Sequence, residues 1–367
     1  MKIGILTFHA VHNCGAILQA FATQSYFKQR EMDCKIINYI SDSQVEYDAI
    51  YSKRNGIKSV IKNILLLPYD KKRRKSYDKF EKFISRLNMS EVCKNNEDLR
   101  ELNKTIDVFI AGSDQIWNIT KKDHISDAYF LDFVEDNKKK IAYAISIGGA
   151  SKKDLYEKKG LIKRFDAISC REEGTSSIIS EIAEKPVLTV LDPTLLVENK
   201  SFDEIAKEIH VPFDNYIFYY SLDGFDKRKR NVEELRILSK RLRKKIVAFT
   251  PEWPKKEKNI NNVIDIGPSE FLAYIKNADL VCTNSFHGTA LSISFKKDFY
   301  VLDEYDGKDQ RKISILKLLG ISDRMISGKT NVETLNIQSI NYSQVENRLN
   351  VLRENSDDFL RTAINIK

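Results

Sequence analysis

Short apolar runs recur along the chain and alternate with longer stretches of helical periodicity. The runs fall at 1–8, 35–39, 107–111, 141–147, 167–170, 187–191, 216–222, 246–249, 263–266, 280–283 and 299–302. They are short, bounded and mostly apolar, the first alternating before it saturates, as expected of strands buried on both faces of a parallel sheet. Helical spacing is predicted between them at about 16–30, 202–209, 229–243, 268–276, 288–295 and 313–319, the last stopped by Gly320. An amphipathic closing helix follows over 341–352, with a helical tail through Leu360. The pattern predicts an α/β protein with two Rossmann-like domains facing a cleft. The first is expected over 1–196 and the second over 197–367, with the closing helices in the second.

Residues 41–100 break this rhythm. Apolar residues over 57–67 are interleaved with Lys58 and Lys62, Pro68 ends the run, and Lys71-Lys72-Arg73-Arg74-Lys75 follows. This reads as a basic helical insertion in the first domain. One reading lays it on an anionic membrane surface; the other makes it a solvated insertion that packs Ile61, Ile64 and Leu65 on its own domain. Between residues 53 and 82, eleven Lys/Arg face three Asp/Glu, a net of +8 that equals the formal charge of the whole chain. The remainder is therefore close to neutral, which argues against a nucleic-acid partner.

The chain has 367 residues, enough for two cores, and its 42% hydrophobic and 31% charged content is that of a soluble globular protein. No signal peptide and no membrane-spanning run is expected. The five cysteines are scattered without C-x-x-C spacing, which points to a reducing compartment and away from a zinc cluster. The expected location is cytoplasmic, at the inner face of a membrane if the basic stretch binds lipid. No metal or cofactor is expected.

The polar residues that carry chemistry gather after the strands, where open α/β sheets bind ligands. After the first run come His9, Asn13, Gly15 and Gln19, suited to recognising hydroxyls. After 107–111 come Gly112, Ser113, Asp114, Gln115 and Trp117, a turn in which the indole offers a flat face to a sugar; a purely structural turn is the alternative. Arg171 ends the run 167–170 and is placed to fork onto a carboxylate or phosphate. Its alternative is a salt bridge to Glu172 or Glu173. After 280–283 come Asn284, Ser285, His287, Gly288 and Thr289, at a helix start whose free N–H groups attract anions. Histidine is the side chain that ordinarily titrates near neutrality.

Four stretches, taken in order, resemble the polysaccharide pyruvyl transferase family. They are 13–20 (Asn-Cys-Gly-Ala-Ile-Leu-Gln-Ala), 112–118 (Gly-Ser-Asp-Gln-Ile-Trp-Asn), 169–172 with 191–194, and 283–288 (Thr-Asn-Ser-Phe-His-Gly). The resemblance implies a fold similar to the two-domain type-B glycosyltransferases. It also implies transfer of the enolpyruvyl group of phosphoenolpyruvate to a sugar, on a cell-surface polysaccharide or its lipid-linked precursor. By the same resemblance Arg171 matches the arginine that holds the donor and His287 the active-site histidine. Lys308 and Arg311 are the nearest matches to a further basic residue. Phe286 departs from the arginine or leucine that many members carry before the histidine.

This donor carries a carboxylate and a phosphate, so cations and helix-terminus donors suit it. A histidine can supply or remove protons, and Asp114 or a group in the His9–Asn13 loop is the candidate base. Two other readings stand: a nucleotide-sugar glycosyltransferase of similar fold, and a non-catalytic scaffold that binds glycans or membranes.

Overall fold

The computed structural model describes residues 1–40, 57–120, 126–222, 228–251, 258–302, 309–327 and 330–365. The chain forms two compact units. One comprises Met1–Arg54, Ile84–Val197 and Asn350–Lys367; the other comprises Asn55–Phe83 and Glu198–Leu349. Each is built on a six-stranded sheet in which every pairing is parallel.

The first sheet uses β1 (Lys2–Leu6), β2 (Asp33–Ile36), β3 (Val108–Ala111), β4 (Lys139–Ile145), β5 (Ala167–Cys170) and β6 (Leu188–Thr189), in the order 2-1-3-4-5-6. One face packs Phe109, Ile168 and Cys170 with Trp117, Phe130 and Phe165. On Tyr143, the rings of Phe359 and Tyr143 lie 6.2 Å apart. The second sheet uses β7 (Tyr216–Tyr220), β8 (Lys245–Phe249), β9 (Ile260–Asn262), β10 (Leu280–Thr283), β11 (Phe299–Leu302) and β12 (Met325–Ile326). Its order is 12-11-10-7-8-9. All five β7 residues are buried. Ile217 and Tyr219 join Leu235 and Leu238 on one side, while Tyr220 packs against Phe249 and Phe271. Burying one such side chain stabilises by roughly 1.5–3 kcal/mol, against about 0–1 for an exposed ion pair. The sheets, rather than the many surface pairs, hold each unit.

The parallel α/β architecture agrees with the sequence reading, and the runs 167–170, 280–283 and 299–302 coincide with strands. The unit boundaries differ from the expected 1–196 and 197–367. Helix Asp70–Ile84 is moored on the second unit: Ser76 Oγ donates to the Ile266 carbonyl at 2.7 Å, and Lys79 Nζ to that of Asp265 at 2.6 Å. The described residues 57–83 therefore belong to the second unit and not to an insertion in the first. The closing helix, Tyr342–Ile364, is continuous; from Asn350 it is counted in the first unit, where the hydroxyl of Ser356 accepts from Leu191 N at 2.9 Å. The expected strand 263–266 lies three residues earlier, in β9, and of that stretch Val263 alone is seen to bond to β8, its N–H donating to the Ala248 carbonyl at 2.9 Å.

Two local devices shape the end of the first sheet. His9 is fully buried, with Nδ1 3.1 Å from the Thr7 carbonyl and Nε2 3.0 Å from Asn38 Oδ1, which fastens the β1 loop to the segment after β2. Gly112 turns the chain after β3 with φ +117°, and a Cβ there would lie 2.1 Å from the Tyr143 carbonyl oxygen. No other residue fits this backbone without a shift.

Both devices are testable. Gly112→Ala is expected to cost at least about 2 kcal/mol in chemical denaturation, from strain and overpacking. Gly149→Ala, with nothing within 4 Å of its Cβ position, serves as the neutral control. Burial pushes the His9 imidazole below its usual range, against smaller opposing effects from Asn38 and Thr7. The fold thus favours the neutral ring, so this contribution is complete above the ordinary histidine value and is lost as pH falls below it. One such group can supply a slope of at most about 1.4 kcal/mol per pH unit. His9→Gln should flatten the acid limb of stability against pH, and an unchanged limb would exclude His9 as its source.

Candidate functional site

In the first unit the strand order reverses between β1 and β3, and in the second between β7 and β10. Such switch points open a crevice at the carboxyl ends of the strands, where ligands of open α/β sheets bind. The residues singled out in the sequence fall into two groups, one in each unit.

In the first unit, Arg171 follows β5 and is buried with its guanidinium among three carboxylates. Nη1 lies 2.9 Å from Asp192 Oδ2, Nη2 3.4 Å from Asp114 Oδ1 and Nε 3.8 Å from Glu172 Oε1. Burial opposes the guanidinium's charge, but Asp192, Asp114 and Glu172 outweigh it and raise its pKa. The expected open fork for an external anion is therefore already engaged from within. The contact with Glu172 anticipated as the alternative is present, but it is the longest of the three. Asp192 is itself fixed, accepting from Thr194 N at 2.9 Å and Thr194 Oγ1 at 2.6 Å.

Asp114 stands at φ +85°, a conformation that is costly for a residue with a side chain. Its own surroundings impose it. The carbonyl accepts from Ser146 N at 2.9 Å, and Oδ1 accepts from Gln115 N at 2.8 Å. Strain of this kind, held by neighbours and set after a central strand, presents the Asp114 carboxylate beside a fixed cation. Ser113 supports the same corner: its Oγ lies within donating distance of the Ala144 carbonyl (2.8 Å) and Asp192 Oδ2 (2.9 Å).

Several expected ligand contacts prove to be framework. Trp117 is fully buried, stacks on Phe130 at 4.9 Å and donates its indole N–H to the Tyr129 carbonyl at 3.0 Å, so it offers no face to a sugar. An indole that finds both an apolar stack and a hydrogen-bond acceptor inside is stable there. Gln19 is buried and donates to Thr7 Oγ1 at 2.7 Å, and His9 is held as described above. Asn13 is half-buried and caps helix Cys14–Lys28, accepting from Gly15 N at 2.9 Å and Ala16 N at 3.2 Å. Gln115 is half-buried and accepts from Asn118 Nδ2 at 3.0 Å.

In the second unit, β10 leads through Asn284 into helix Phe286–Ser294, capped by Ser285, whose Oγ accepts from Gly288 N at 3.4 Å. Thr283 Oγ1 donates to the Tyr220 carbonyl at 2.8 Å and accepts from Ser285 N at 3.0 Å, tying β10 to β7. Asn284 Oδ1 accepts from Leu222 N at 3.2 Å, so both sides of the switch point are joined. A Cβ on Gly288 would lie 2.5 Å from Thr283 Oγ1; only glycine lets the helix start so close to its strand. Thr289 is buried, with Oγ1 donating to the Ser285 carbonyl at 3.0 Å. His287, in the first turn, is largely buried, and the Phe286 ring meets it edge-on at 5.2 Å.

Of the two expected basic residues, Lys308 lies outside the described residues. Arg311 forks onto Asp309, with Nε–Oδ1 at 2.8 Å and Nη2–Oδ2 at 2.7 Å. Lys312, which the sequence reading passed over, reaches the loop instead. It is buried, and its Nζ donates to the Asn284 carbonyl at 3.1 Å and lies 3.6 Å from Asp309 Oδ2. Asp309 caps helix Gln310–Leu319 and sets this turn. The cap signal was present in the sequence, but which of Arg311 and Lys312 is turned inward is a matter of packing.

Among curated proteins none matches the sequence. Among solved structures, the chain is similar to UDP-N-acetylglucosamine 2-epimerase from Rickettsia bellii, with 11% identity and a TM-score of 0.56 over 100% of this chain and 97% of that one. It is likewise similar to S. aureus MnaA in a co-structure with UDP, with 12% identity and a TM-score of 0.51 over 100% and 97%. These likenesses show the fold alone, two Rossmann-like domains of the type-B glycosyltransferase kind. The sequence profile of the polysaccharide pyruvyl transferase family matches residues 13–306, which includes the loops after β3 and β10, β5 with Arg171, and the His287 helix start; the chain belongs to that family of transferases.

Proposed function

We propose that this protein moves the enolpyruvyl group of phosphoenolpyruvate onto two hydroxyls of a sugar in a cell-surface polysaccharide or its lipid-linked precursor. The product is a pyruvate ketal, and phosphate is released. The observation that carries the reading is His287 in the first turn of a capped helix at a switch point, within a chain of this family.

In this reaction a proton is added to the methylene carbon of the donor, giving a methyl group and an oxocarbenium-like C2. One sugar hydroxyl bonds to C2 and gives up its proton. The C2–O bond to phosphate then breaks, and the second hydroxyl closes the ketal with loss of its own proton. We assign His287 the proton delivered to the methylene carbon or to the departing phosphate. The helix start at Phe286 suits the phosphate, since its first N–H groups have no intrahelical acceptor and its dipole favours an anion. Lys312 adds a cation to the same loop.

Asp114 is assigned as the base on a sugar hydroxyl, its carboxylate aimed by a strained backbone. Arg171 is then a positioning residue: the guanidinium spans Asp114 and Asp192 and holds the first where it is needed.

Calorimetric titration with phosphoenolpyruvate tests this first. Saturable binding should raise stability by about 2.7 kcal/mol at a hundredfold excess over Kd. Stabilisation by a nucleoside diphosphate, with no response to phosphoenolpyruvate, would point instead to a nucleotide-sugar glycosyltransferase. Loss of the histidine in His287→Ala is expected to slow phosphate release roughly 10²–10⁴-fold; an unaffected cellular role in that variant would favour a scaffold.

Asp114→Asn should abolish turnover while donor binding persists, and retained turnover would remove Asp114 from the mechanism. Arg171→Ala strands buried carboxylates and is expected to cost about 3–5 kcal/mol of stability. Arg171→Lys is therefore the informative variant. Unchanged donor affinity with reduced turnover fits a positioning role, whereas lost donor affinity would put the guanidinium on the donor itself.

A further inference from the structure

The second unit carries an aliphatic stripe that faces outward. On helix Ile57–Leu66 and the turn after it, Val60, Ile61, Ile64, Leu65 and Leu67 are each 51–57% exposed, while Leu66 is buried. The first four stand at i, i+1, i+4 and i+5 and so share one side of the helix. Ile61, Ile64 and Leu65 do not pack on their own domain, which was one of the two readings of this stretch. The following helix, Asp70–Ile84, is held by its Ser76–Phe83 half: Ser76 and Lys79 bond to the chain at Asp265 and Ile266, Lys79 Nζ pairs with Glu270 at 2.9 Å, and Phe80 and Phe83 are buried. Its first turns are left in solvent, with Lys71, Lys72, Arg74 and Lys75 exposed. Over 57–75 the sequence has seven Lys/Arg and one acidic residue, Asp70.

Contiguous exposed apolar side chains bordered by charge mark an interaction surface. The make-up of this one separates a bilayer from a protein partner. Protein hot spots favour Trp, Tyr and Arg in fitted pockets, with Leu and Val under-represented. Here the apolar side chains are aliphatic, and the flanking charge is spread over flexible lysines. That combination suits the acyl boundary and anionic headgroups of a lipid surface.

We propose that residues 57–75 are a docking surface for an anionic bilayer. The stripe from Val60 to Leu67 enters the interface, and Lys71, Lys72 and Lys75 lie over the headgroups. Among the described residues no helix is long and apolar enough to cross a membrane, so this is attachment to one leaflet. The proposal is independent of the transfer reaction above, since it concerns where the protein sits and not what it catalyses.

Co-sedimentation of the full chain with phosphatidylcholine vesicles, with and without phosphatidylglycerol, tests it. Binding is expected only with the anionic lipid and should weaken with salt. Replacing Lys71, Lys72 and Lys75 by Gln should lower affinity on the order of 100-fold. The triple change Ile61→Ser, Ile64→Ser and Leu65→Ser should also release the protein. All six side chains are exposed, so both variants should melt with the wild type. Absence of vesicle binding by the wild type, or equal binding to neutral vesicles, would overturn the proposal. So would a serine variant that converts a dimer to a monomer while its vesicle binding is unchanged, because the stripe would then be a contact between copies of this chain.

Discussion

A single buried guanidinium organises the carboxyl end of the first sheet. Arg171 leaves β5 and meets Asp114 after β3 and Asp192 after β6, with Glu172 beside it. Burying a charge is costly unless partners surround it, and here the partners come from different strand ends. Each therefore fixes the others: Asp192 holds Ser113 and Thr194, and Asp114 is kept in a backbone conformation it would not adopt alone. The preorganised corner follows from charge compensation, beside an apolar cluster that includes Phe109, Ile168 and Cys170.

The second unit solves the same problem without buried ion pairs of that kind in its switch loop. Hydroxyl and amide groups stitch the strand ends together: Thr283 to Tyr220 and Ser285, and Asn284 to Leu222. Gly288 lets the helix begin almost on top of its strand. The groups that join these strand ends are neutral, and the Lys312 ammonium reaches the same loop through the Asn284 carbonyl while lying 3.6 Å from Asp309. The corner of the first unit instead sets the Asp114 carboxylate beside the Arg171 guanidinium.

The outward aliphatic stripe contrasts with both cores. Elsewhere side chains such as Ile217, Phe218 and Trp117 are completely covered, because their burial is what stabilises the units. The helix at 57–66 contributes little of that kind, and its retention of four large exposed apolar side chains, with Leu67 in the turn after it, beside a lysine cluster is better explained by an external surface than by folding.

Much of the architecture was legible from the chain alone. Fully apolar runs bounded by polar loops specify parallel strands because only burial on both faces accommodates them, and residues such as Ser285 and Gly320 mark helix ends by local chemistry. The family could be read for the same reason, since the stretches that carry it are local in sequence. What the sequence could not convey was which polar groups the fold would consume internally. Trp117, Gln19, His9 and Arg171 look like ligand contacts in isolation, yet each finds its partner across the tertiary structure. The same holds for the cations after residue 306, where Arg311 forks onto Asp309 and packing turns Lys312 toward the Asn284 carbonyl. The sequence by itself determined the strands, caps and family; only the tertiary structure decided which charges stay available, because a buried polar group takes whatever partner the fold brings within reach.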